Sequence, residues 1–156
     1  MPYPSLTTVG TNRTLDVAHL DRPAVFLCFA QATQGEADPI EAAIRAQYAA
    51  AQVLVAHVVD LHGVPGLLRG MAERILRSEY DKAVKALPPA ETAEDYVAIL
   101  PDWDGAFVKA MEFAEDVSKQ VGVAVFGRDG TLLGKAQGEG VAGGALRLLE
   151  TSESPT

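Results

Sequence analysis

The chain has 156 residues, enough to close one hydrophobic core without disulfides or metals to brace it. Apolar and aromatic residues make up 48% and charged residues 22%, the balance of a globular domain and not of a disordered chain. With 21 acidic against 13 basic residues the formal charge is -8, a field that repels phosphate backbones and excludes nucleic acid as an expected partner.

No apolar run approaches the roughly 20 residues needed to cross a bilayer, and Ala24 to Ala32 is about half that. Met1 to Asn12 lacks a basic start followed by an apolar stretch, so a cytoplasmic location without membrane association is expected. Neither repeats nor low-complexity blocks interrupt the chain. A single domain over 1–156 is expected, with an ordered core of about 8–150 and mobile tails at Met1 to Leu6 and Thr151 to Thr156.

Ala24 to Ala30 is a continuous apolar stretch after Asp21-Arg22-Pro23, the pattern of a strand buried on both faces. Its Cys28 is the only cysteine, which excludes an internal disulfide, a Cys-x-x-Cys pair and a cysteine-rich zinc site; within the apolar run it reads as a small buried hydrophobe. Gln31 to Ala37 follows as a loop. Asp38-Pro39-Ile40-Glu41 then reads as a helix start, with Asp38 as N-cap, Pro39 at the first helical position and Glu41 reaching back to the cap. Ile40, Ile44 and Tyr48, with Ala43 and Ala51, form its core face. Val53 to Asp60 is a second buried strand, so strand, helix and strand imply a crossover and a parallel pair.

Beyond His62-Gly63-Val64-Pro65 a long amphipathic helix is predicted to about Leu87. Leu68, Met71, Ile75 and Val84 face inward, Glu73/Arg77 and Asp81/Lys85 pair outward, and Pro88-Pro89 stops it. Asp95 to Leu100 reads as a strand, Pro101 to Gly105 as a turn, and Phe107, Met111 and Ala114 as the apolar side of a short helix. Gly122 to Phe126 and Thr131 to Ala136 flank Arg128-Asp129-Gly130 as a hairpin. Ala145 to Glu150 closes the domain as a small helix, and Gly138 to Gly143, which spells G-x-G-x-x-G, is a turn before it and not a nucleotide loop.

This order, together with Arg22-Pro23-Ala24-Val25-Phe26-Leu27-Cys28-Phe29-Ala30 and Val123-Ala124-Val125-Phe126-Gly127-Arg128-Asp129-Gly130-Thr131-Leu132-Leu133-Gly134-Lys135, resembles the thioredoxin-like superfamily, specifically its redoxin and peroxiredoxin (AhpC/TSA-like) branch. The first segment resembles the strand that leads into the active-site loop and the second the late hairpin. The resemblance implies an α/β fold of three layers, α/β/α, with a central mixed sheet and a redoxin-type inserted helix. It places the family's reactive thiols in the loop after the first strand, where a helix dipole lowers a thiol's pKa. Here that stretch is Ala32-Thr33-Gln34-Gly35-Glu36-Ala37, with Thr33 and Glu36 about where a Cys-x-x-Cys pair would stand. The peroxiredoxin P-x-x-x-T-x-x-C motif is missing too, and Val121-Gly122 occupies the place of the proline that usually precedes the late strand. Thiol peroxidase and disulfide oxidoreductase activities are therefore not expected, and a conventional thiol enzyme would need an accessible Cys28.

Two functions from different classes remain. The leading expectation is a non-redox protein that binds a protein partner or a small ligand in the vacated region, through Thr33, Gln34, Glu36, Arg69 and Trp103, and that forms a homodimer through a sheet edge or helix face. The alternative is an enzyme with Asp60 and His62 as orienter and base and an arginine such as Arg69 clamping an anion. Strand alternation puts Asp60 and His62 on one face at a carboxyl edge, where open α/β sheets bind ligands. The simpler reading has Asp60 capping a turn beside a solvated His62. His57 alternates to the opposite face from His62, so no metal site and no cofactor is expected.

Overall fold

The computed structural model describes residues 3–9, 14–49, 51–86 and 98–153. Its centre is strand β3 (Ala24–Phe29), in which every residue is buried. Val25, Leu27 and Phe29 point into one core and Ala24, Phe26 and Cys28 into the other, so this strand is the partition between two apolar layers. It pairs in parallel with β4 (Leu54–Asp60) and antiparallel with β6 (Gly122–Phe126). On the outer flanks β5 (Ala98–Asp102) lies parallel to β4 and β7 (Leu132–Gln137) antiparallel to β6, giving the order β5-β4-β3-β6-β7. A small antiparallel pair, β1 (Leu6–Thr7) and β2 (Thr14–Leu15), precedes this mixed sheet.

Helix α1 (Gln34–Arg45) crosses from β3 to β4 and packs with the final helix α4 (Val141–Glu153) on the face of Val25, Leu27, Val55 and Val123. Helix α2 (Arg69–Lys85), inserted between β4 and β5, borders the same face. The short helix α3 (Ala106–Met111) covers the opposite face through Phe107 and Met111, with Phe107 stacked on Phe26 at 5.2 Å between ring centroids. The expected three-layer α/β/α arrangement with a mixed sheet and an inserted helix is thus the observed one.

Several boundaries differ from the sequence reading. The segment after β3 is not a loop to Ala37: Gln31–Thr33 forms a 3-10 turn and α1 starts at Gln34, which leaves Asp38 and Pro39 inside the helix. The cause is Thr33, whose hydroxyl accepts from the Ala30 N–H at 3.1 Å and donates to the Val117 carbonyl at 2.6 Å, folding the chain before Asp38 is reached. Glu41 consequently caps nothing and bonds His57 instead. Tyr48 is buried, but in the turn beyond α1, and Ala51 is exposed. Ala114 lies past the end of α3, where Glu112 takes a left-handed φ of 54°. Val141 to Gly143 are helical, and so are Thr151 to Glu153, which were expected in the tail. Pro88-Pro89 and the start of the expected Asp95 strand lie outside the described residues.

The largest correction concerns α2. Leu68, Met71 and Ile75 do not face inward: Met71 and Ile75 are 54% exposed, and Leu67 just before the helix is 99% exposed. The core side is Leu76, 8% exposed, followed by the half-buried Tyr80, Ala83 and Val84. The helix carries two apolar stripes, and the sheet takes the one beginning at Leu76. On its polar side the ion pair among described residues is Glu79 with Lys82, and not Glu73/Arg77 or Asp81/Lys85. We expect Leu76→Ala to cost about 2 kcal/mol or more and Met71→Gln to stay within about 0.5 kcal/mol in denaturant unfolding; the reverse order would restore the stripe read from sequence.

Candidate functional site

Where β3 and β4 end, the chain brings several polar groups to one sheet edge. Asp60 closes β4 and aligns with Asp102 of β5. The Asp60 Oδ1 atom accepts from the backbone N–H of His62 at 3.1 Å and contacts His62 Nδ1 at 2.7 Å. The predicted pair is therefore assembled, but by an aspartate turn and not by strand alternation. Its members differ in solvation, with the Asp60 side chain 6% exposed and His62 58%. The Asp60 hydrogen bond and charge, helped by the more distant Asp116 and Asp102 and opposed by slight burial, raise the His62 pKa above its ordinary 6.5. The turn is packed tightly, since a Cβ added to Gly105, at φ 71°, would stand 3.1 Å from His62 Cβ and 3.2 Å from Asp60 Oδ1.

Asp102 was not singled out from sequence. It is buried, its Oδ2 accepts from the Val108 N–H at 3.0 Å, and its Oδ1 has no partner among the described residues. Burial above all raises its pKa, the bonds from α3 work against that, and the charges of Asp60 and Asp104 add to it. The signal was present in Asp102-Trp103-Asp104-Gly105 ahead of an apolar helical stripe, where Asp104 accepts from the Ala106 N–H at 3.1 Å as a helix start requires.

On the α1 face a second acid–imidazole pair forms that sequence reasoning missed. His57 Nε2 lies 2.9 Å from Glu41 Oε1, and the imidazole meets Phe29 edge to face at 5.7 Å. Burial is the largest influence on Glu41 and raises its pKa, but the bond and charge of His57 with the charge of Arg45 outweigh it and hold the carboxyl below its ordinary value. A histidine inside Val55-Ala56-His57-Val58-Val59, facing a crossover helix that carries a glutamate, was the available clue.

Both pairs line one cavity of about 870 Å3 between α1 and α2. Its apolar wall includes Phe29, Val55, Val59, Leu61, Ile75 and Leu76, and Ala30, Gln31, Ala32 and Gln34 border it where the active-site loop of thioredoxin-like proteins would stand. Of the other expected contacts, Thr33 is buried and committed to Ala30 and Val117, so it is a structural residue and not a ligand contact. Glu36 is exposed and does not line the cavity. Arg69 and Trp103 do not line it either: the guanidinium lies 4.3 Å over the Trp103 ring, which packs against the domain's own core. The structure brings Gln34 to the cavity with Asp60 and His62, and leaves the proposed arginine clamp outside it.

Cys28 is fully buried, and desolvation first, then the charges of Asp102 and Asp60, push its thiol far above the ordinary range. Where a proline would precede β6, the Phe113 ring sits over Gly122, so close that a Cβ there would stand 2.7 Å from it. Among the described residues no group of three or more His, Cys, Asp or Glu is placed to hold a metal ion, and no helix is long and apolar enough to cross a membrane.

No family model and no curated protein matches this chain. Among solved structures it is similar to dsbF of MTB, at 18% identity over 96% of this chain and 95% of that one, with a TM-score of 0.58. It is similar to the pneumococcal exposed lipoprotein thioredoxin Etrx1 of Streptococcus pneumoniae strain TIGR4, at 16% identity over 96% and 98%, with a TM-score of 0.60. A thioredoxin-like protein from Aeropyrum pernix matches at 12% identity over 96% and 89%, with a TM-score of 0.59. The chain has the thioredoxin-like fold. It carries that fold with one cysteine, buried in β3, and without a thiol in the segment after it.

Two measurements check the site. In proton NMR, His62 is expected to titrate above about 6.5 and to fall back toward it in Asp60→Asn. Because its folded value lies above its unfolded one, the pair stabilises the fold below the unfolded pKa, and that contribution is lost as pH rises through the folded pKa; an unchanged titration in Asp60→Asn would remove Asp60 as the cause. An aromatic disulfide reagent is expected to label Cys28 only after denaturation, and rapid labelling of the native protein would contradict its burial.

Proposed function

We propose that this chain is a non-redox thioredoxin-like protein that binds a small ligand in the cavity between α1 and α2. The observation that carries the reading is the cavity itself: about 870 Å3, walled by apolar side chains with a few polar groups, and bordered by Gln31, Ala32 and Gln34 in a chain whose sole thiol is sealed in the core. Pockets of this size and character bury most of a small molecule's surface and fix its orientation through a few polar contacts. Transfer of disulfide chemistry from the structural neighbours is not part of the proposal, because the fold does not carry the chemistry once the thiols are gone. Homodimer formation belongs to it, supported by the exposed Leu67, Leu68 and Met71, which do not line the cavity.

Native mass spectrometry before and after mild organic denaturation tests the reading. The expected result is a co-purifying small mass that is released on denaturation and is depleted in Val59→Trp, which fills the cavity from its floor. A released mass that Val59→Trp retains in full would place the ligand elsewhere, and insulin reduction dependent on Cys28 would overturn the non-redox assignment.

A further inference from the structure

The ligand's chemical class can be read from what lines the cavity, on the assumption that the cavity binds a ligand as proposed above. The polar lining is strongly one-sided. Asp38, Glu41, Asp60, Glu79 and Asp116 contribute carboxylates, whereas the basic side chains are Lys82, His57 and His62. Lys82 is engaged by Glu79 at 3.6 Å, His57 by Glu41 at 2.9 Å and His62 by Asp60 at 2.7 Å. These five carboxylates outnumber the three basic side chains, so the lining is acidic in balance. A cleft with low-dielectric walls concentrates such a field on whatever enters it.

Within this lining Glu41 is the group best placed to fix a ligand. It lies among the apolar wall residues, its Oε1 is held by His57, and its Oε2 takes no hydrogen bond among the described residues. The His57 ring is in turn steadied by the edge-to-face contact with Phe29, so the carboxylate is pre-oriented and not a free surface chain. A half-buried, oriented carboxylate with an unused oxygen beside Val55, Val59 and Ile75 calls for a donor with a positive charge on an apolar body.

We infer that the cavity takes an organic amine cation, its ammonium on the free Glu41 oxygen and its hydrocarbon part over Val55, Val59 and Ile75. An anionic ligand would meet the carboxylates without a free lysine or arginine to receive it, because Arg69 is spent on Trp103 and lies outside the cavity. A neutral apolar ligand would displace water from Glu41 while offering its second oxygen no donor, with only the charges of His57 and Arg45 beside it, which is less favourable for an ionised group than a charged donor.

The test uses three probes with the same six-carbon body, hexylammonium, 1-hexanol and hexanoate, titrated into the full chain at pH 7 and followed by methyl NMR of the cavity valines, leucines and isoleucines. Hexylammonium is expected to bind at least about tenfold more tightly than hexanol, the size of one charge-assisted hydrogen bond, with hexanoate weakest. In Glu41→Gln the preference for the amine over hexanol is expected to fall to within about threefold while hexanol affinity is kept. The wild-type ranking stands without the variant, so a Glu41→Gln chain that fails to fold leaves the test intact. Equal binding of all three, or a preference for hexanoate, overturns the amine assignment and leaves the cavity as a ligand site. Absence of any shift at the cavity methyls with all three probes overturns the cavity reading and the amine assignment together.

Discussion

The structure depends on one strand that can tolerate no exposure. Six consecutive residues of β3 are buried because each face of the strand is covered by a different layer, and the sheet order follows from that demand. A strand with apolar groups on both faces is stable only as an interior strand, so β4 and β6 must flank it and helices must lie above and below. The same constraint decides the fate of Cys28. Its side chain alternates into the layer of Phe26, Phe107 and Met111, where a thiol is inert. The chain's one thiol is therefore sealed away from solvent by the packing of the strand that carries it.

The second determining feature is how little of α2 meets the sheet. A helix whose fully buried residue is Leu76 alone is held by one edge, and Met71 and Ile75 forgo the roughly 1.5–3 kcal/mol each that full burial would contribute. The space left over β4 is the cavity. Its walls inherit their chemistry from the crossover: His57 points up from β4 because Val58 points down, and α1 delivers Glu41 above it. The turn after β4 then brings Asp60 and His62 to the open end. Two acid–imidazole pairs thus border one space for reasons of strand alternation and turn geometry.

Much of the fold was legible because the signals were long and of one kind. Continuous apolar runs gave β3, β4 and β6, the Arg128-Asp129-Gly130 turn gave the hairpin, and Phe107 with Met111 gave α3. What was not legible depended on tertiary partners. The helix start at Asp38-Pro39 satisfied local capping chemistry, but the Thr33 hydroxyl found the Val117 carbonyl, 84 residues on, and turned the chain earlier. The α2 sequence holds two apolar stripes, and only the sheet chooses between them. Of the candidate site, the Asp60–His62 contact was legible as a neighbour relation, although a turn and not alternation produced it. Glu41 with His57, and Asp102 beside Asp60, required knowing which strands and helices meet. Thr33 and Glu36 were assigned by analogy of position, Arg69 as an anion clamp and Trp103 as an anchoring indole; Thr33, Arg69 and Trp103 make contacts within the fold, and Glu36 is exposed.

Amide hydrogen exchange reports most directly whether α2 is a loosely seated wall with open space behind it. Amides of Arg69–Lys85 are expected to exchange at least about a hundredfold faster than those of β3 and β4, by local opening that leaves the central strands closed. Protection of α2 equal to that of the central strands would show a helix packed down onto the sheet, and would contradict both the cavity and the function built on it.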